Sequence, residues 1–99
     1  MNDHARVVRV SRHFSATGRR DEVAGVLKAM ADSMRDASGC FGAQVALSDR
    51  DPEQLILISR WESSDAMHRF HEAEDFTGFQ RELEPSLQGA PDVEIFTTA

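Results

Sequence analysis

The stretch from Trp61 to Phe79, WESSDAMHRFHEAEDFTGF, gathers the chain's only tryptophan, two of its four histidines and three of its six phenylalanines. His71 leads the candidates for chemistry. It follows Phe70 and lies four residues after Met67, so on a helix it borders the apolar face. An imidazole there can accept a proton or hold one near neutrality. Trp61 and Phe70 are suited to stack on a planar ligand, and the indole N–H is a hydrogen-bond donor. His13, on an earlier segment, shares strand parity with Val7, Arg9 and Ser11 and is a further candidate for the same pocket. His68 precedes His71 by three residues, with Glu72 and Glu74 close by. Two such histidines can reach one ion, but no third ligand stands at suitable spacing, so no metal is expected. Each residue also has a structural reading: His71 as a core-edge histidine, Trp61 as a core aromatic, and Met30 and Met34 as core filler.

These side chains need elements to position them. Ala5 to Phe14 reads as a strand, with Val8 and Val10 alternating with Arg9 and Ser11. Thr17-Gly18 marks a turn. From Arg19 to Ser38, Val23, Val26, Leu27, Met30 and Met34 fall at helical spacing, and Gly39 is placed as a left-handed cap. Phe41, Ala43, Val45 and Leu47 alternate along a second strand. The turn cluster Asp49 to Glu53 links it to a third, Leu55 to Glu62. Ser63 or Ser64 can cap the next helix, with Asp65 complementing its dipole. That helix is expected to run to about Glu74 and to break near Asp75-Phe76. A second piece carries Phe76, Phe79 and Leu83, and Val93 to Thr98 reads as a last strand. The order βαββαβ, with a hairpin between the inner strands, predicts an α+β, ferredoxin-like fold. It has a four-stranded antiparallel sheet and helices on one face. Leu55-Ile56-Leu57-Ile58 is apolar at consecutive positions, so both faces of its strand need cover. A second copy of the sheet is the expected cover, which predicts a homodimer.

Ninety-nine residues fit a single domain, 1–99. The charged fraction is 28%, the apolar fraction 40% and the net charge −6, with no run of basic residues to track a phosphate backbone. No nucleic-acid partner is expected. No apolar run approaches the length of a membrane span, and charges interrupt the N-terminal apolar patch. A cytoplasmic protein with no membrane partner is the expectation. Cys40 is the only cysteine, so no intrachain disulfide forms, and it reads as a small buried hydrophobe.

With that topology in place, three features resemble the antibiotic biosynthesis monooxygenase family of dimeric α/β barrels. They are the SGCFG turn (Ser38 to Gly42), WESSDAMHRFH with its strand-ending tryptophan and helix histidine, and HEAEDFTGF with its phenylalanine pair. The resemblance implies two subunit sheets packed as a barrel. It also implies cofactor-independent oxygenation of a small aromatic phenol, quinol or polyketide-like substrate. Trp61 and His71 match the family's strand tryptophan and helix histidine and are the candidate catalytic residues. Met67 stands where polyketide-oxidising members place a tyrosine, and Leu57 where they place an asparagine. Arg81 falls where some members have a substrate-contacting arginine. Haem-degrading members use an asparagine on the first strand, where this chain offers Val10, Ser11 or His13. That departure counts against haem, which is the alternative substrate or cofactor the resemblance implies, and a non-catalytic ligand-binding module is the third reading.

Overall fold

The computed structural model describes residues 5–99; the first four residues of the expected single domain lie outside the described residues. Four strands, β1 (Val7–Phe14), β2 (Cys40–Leu47), β3 (Gln54–Trp61) and β4 (Asp92–Thr97), form one antiparallel sheet in the order β2-β3-β1-β4. Helix α1 (Arg20–Arg35) joins β1 to β2. Helices α2 (Ser64–His71) and α3 (Glu74–Leu83), followed by a short 3₁₀ turn at Glu84–Ser86, join β3 to β4. This is the ferredoxin-like α+β fold that the element order predicts.

The β1–β3 register decides which side chains meet the helices. Val7, Arg9, Ser11 and His13 pair with Trp61, Ser59, Leu57 and Leu55. Paired residues share a face. That face meets Val23, Leu27, Met30 and Met34 of α1, Ala66, Met67 and Phe70 of α2, and Phe76 and Leu83 of α3 in one continuous core. Burial of each large apolar side chain here contributes about 1.5–3 kcal/mol. The opposite face carries Val8, Val10, Ile56 and Ile58, all only partly buried.

Local chemistry sets the helix limits. Ser63 takes extended backbone angles, and its hydroxyl accepts the Ala66 N–H at 3.1 Å, so it is the cap and Ser64 the first helical residue. The break expected near Asp75-Phe76 falls earlier, because α2 ends at His71 and α3 begins at Glu74 with Ala73 in an extended conformation. Helix α1 closes at Arg35. Gly39 takes φ +82° in the turn that follows, so its left-handed geometry serves the chain reversal into β2 and not the helix cap itself. The alternation read for β2 is broken at its start. A bulge between Cys40 and Gly42 leaves Phe41 outside the ladder and exposed. Cys40 is half-buried at the core edge, not fully buried; its thiol donates to the Gly42 carbonyl, and burial raises its pKa.

No helix among the described residues is long and apolar enough to cross a membrane.

Candidate functional site

Strands β1 and β3 and helix α2 bring Trp61, Met67, Phe70 and His71 together on the helix-side face of the sheet, and His13 lies on that face farther along β1, which pairs Val7 with Trp61 and His13 with Leu55. Trp61 is fully buried, and its indole N–H donates to Ser59 Oγ at 2.9 Å. The donor expected to face a ligand is therefore engaged within the strand. Phe70 packs on Trp61 with ring centroids 5.7 Å apart, and both rings flank His71 at 5.4 and 5.9 Å. Phe76 of α3 closes a third side, 4.5 Å from the His71 ring and nearly edge-on to it.

His71 is held in one orientation by its own helix. Its Nδ1 lies 2.7 Å from the Met67 carbonyl oxygen, which can only accept, so Nδ1 carries the proton. In the neutral ring Nε2 is then a bare acceptor, and it is buried with no hydrogen-bond partner among the described residues. Burial is the main force on this ring and pushes its pKa down to about 4. The Met67 carbonyl opposes the shift, and Arg9 and His68 add to it. His71 is neutral at physiological pH.

His13 repeats the pattern on β1. It is 4% exposed, its Nε2 lies 2.8 Å from Ser11 Oγ, and its Nδ1 is buried without a partner among the described residues. Burial and the Arg9 charge push its pKa down to about 4 as well. Arg81 stands apart. It is exposed on α3, two residues from the inward Leu83 and so on the opposite side of that helix. His68 is also exposed. Among the described residues, no three histidine, cysteine, aspartate or glutamate side chains converge as metal ligands.

Arg9 belongs to this cluster although its sequence context gives it no special role. It faces the helices between Val7 and Ser11, and its guanidinium lies 5.9 Å from the centroid of the Phe76 ring. The signal was its parity with His13, which only the register turns into a statement about which face is inside.

The cluster is closed by side chains over β1 and β3 but not along β4. Val93 and Ile95 share its face, opposite Ser11 and Arg9, yet are 45% and 48% exposed. Two surface depressions of about 340 and 220 Å³ border Arg12, which lies on the outer face of the sheet, and neither is lined by a histidine.

The sequence profile of the antibiotic biosynthesis monooxygenase family matches residues 7–82, which include the whole cluster. The chain belongs to this family. Solved structures agree with the family fold. A Pseudomonas aeruginosa protein is 19% identical, with a TM-score of 0.86 over 100% of this chain and 99% of that one. A Mycobacterium tuberculosis protein is 18% identical, with a TM-score of 0.86 over 94% of each chain. A conserved protein of Methanosarcina mazei is 14% identical, with a TM-score of 0.89 over 98% and 96%. Identities this low speak to the fold alone. No curated protein matches the chain.

Proposed function

We propose that the protein is a cofactor-independent monooxygenase acting on a small aromatic with an acidic hydroxyl, a phenol or quinol or a polyketide-like homologue. The observation that carries this reading is His71, whose ring is fixed by Met67 and whose bare Nε2 sits among three aromatic rings. Family membership supports oxygenation as the reaction type.

Dioxygen in its ground state reacts slowly with closed-shell organics and needs an electron-rich anion. In the proposed reaction the substrate hydroxyl gives its proton to His71 Nε2. The resulting phenolate passes one electron to dioxygen, and the two radicals combine at a ring carbon bearing hydrogen. His71 returns its proton to the peroxide, which then loses water made from that proton, the ring hydrogen and the outer oxygen. One oxygen atom stays as a quinone carbonyl, and the other leaves with two hydrogens. The protein's share is to exclude water, hold the ring against Phe70 and Phe76 above the buried Trp61, and accept the proton. Access is proposed along the β4 flank, where Val93 and Ile95 are half-exposed.

Haem fits the arrangement poorly. Either ligand must displace side chains to reach His71 Nε2, which is buried beside aromatic rings, and haem, as the much larger ring system, needs the greater opening. The closed cluster also suits a ligand-binding module of the same fold without catalysis. A second copy of the chain, seated on the half-buried Val8, Val10, Ile56 and Ile58 face, completes the proposal.

Aerobic turnover of dihydroxyaromatics under labelled dioxygen tests the reading. One labelled atom per product is expected, and His71→Gln should lower kcat/KM by about 100-fold. Unchanged turnover in that variant removes the role given to His71. Binding of these compounds without conversion supports the module instead.

A further inference from the structure

Arg9 is a partly buried cation that meets no carboxylate among the described residues. The chain has 17 acidic residues, yet the ion pairs among the described residues are Arg19–Glu22 and Arg35–Asp32, and neither involves Arg9. Burial lowers the pKa of its guanidinium, which nonetheless stays charged. A partly desolvated cation without a counter-charge gains from a ligand that supplies one. Its position narrows what that is. The guanidinium lies over Phe76, whose ring also meets those of His71 and Phe70, and its field reaches both His13 and His71. Each of those histidines buries one ring nitrogen without a partner among the described residues. The flank of the group opens on half-exposed Val93 and Ile95, where an aromatic body can lie.

We infer that Arg9 is an anion-binding residue and that the site holds its aromatic ligand as an oxyanion, with the charged oxygen beside the Arg9 guanidinium and the His71 ring. The inference rests on the aromatic-substrate reading above and names the ionisation state that the site selects. Arg9 supplies the countercharge, and His71 Nε2, a bare acceptor in the free protein, donates a hydrogen bond once it has taken the proton of the ligand's hydroxyl. Neutral aromatics of the same shape gain the stacking but leave the cation uncompensated.

Trp61 is the chain's only tryptophan and lies in the floor of the cluster, so its fluorescence reports on this site alone. The full chain is titrated at neutral pH with the hydroxynaphthoquinone lawsone, an anion there, and with its neutral methyl ether. Lawsone is expected to bind at least about tenfold tighter. Arg9→Gln should remove that preference by weakening lawsone about 10- to 100-fold while leaving the ether nearly unchanged, and Arg9→Lys should restore part of it. Equal affinity of the wild-type chain for the two compounds overturns the anion site and leaves the aromatic pocket standing. A preference that survives Arg9→Gln also overturns the assignment. Failure of both compounds to bind overturns this inference and the proposed function together. The wild-type comparison is decisive even if a variant does not fold.

Discussion

Replacing His13 with glutamine should flatten the acid side of the protein's stability profile. In the folded chain His13 is 4% exposed and its pKa is pushed down to about 4 by burial and by Arg9. In the unfolded chain an ordinary histidine titrates near about 6.5. The unfolded state therefore binds the proton first, and stability falls as pH drops from about 6.5 toward about 4. Linkage gives this one group a loss of about 2 kcal/mol between about pH 8 and pH 5, rising to about 3 kcal/mol below pH 4. His71 carries the same depressed pKa but is more exposed, and screening trims its share over that range to about 1 kcal/mol. Glutamine keeps a polar group within reach of Ser11 Oγ but cannot titrate. Urea unfolding of both proteins at about pH 8, 6 and 5 isolates the term, because titrating carboxylates cancel in the difference. The wild type should lose about 2 kcal/mol more than His13→Gln on going to pH 5. A difference constant to within about 0.5 kcal/mol across that range refutes the claim that His13 is buried as the neutral ring.

Two further outcomes test the framework around the site. Gly39→Ala should cost about 2–3 kcal/mol in urea unfolding, since φ is +82° and a Cβ would stand 2.6 Å from Ala66 Cβ. Gly18→Ala, with φ +80° and nothing within 4 Å of the added carbon, should cost only about 1 kcal/mol. If a second copy covers the outer sheet face, light scattering should give twice the chain mass for the wild type, and Ile58→Glu should halve it by placing a charge in that face. A wild-type chain that is monomeric at high concentration removes the dimer.

Much of the architecture was legible because it depends on local patterning. The 3.6-residue stripe of Val23, Leu27, Met30 and Met34 forms the buried face of α1, and Ser63 caps α2 as its side-chain chemistry suggests. The hairpin between β2 and β3 follows from the turn residues between two apolar runs. The Phe41 bulge was not legible, since an inserted residue leaves the alternating pattern intact on paper and shows only when the partner strand is counted against it.

The site divides along the same line. Sequence by itself brought His71, Phe70 and Met67 onto one side of a helix, because positions three or four apart must meet there. It also placed Arg9, Ser11 and His13 on one face of a strand, because side chains alternate. It could not say whether that face or the Val8–Val10 face turns inward, as both contain residues that tolerate burial. The pairing of β1 with Leu55, Leu57, Ser59 and Trp61 decided it, and with it the approach of Arg9 to Phe76 and His71. Contacts between residues some sixty positions apart arise from the strand register and helix docking, whose energies are summed over the whole core and are written in no single stretch of the chain.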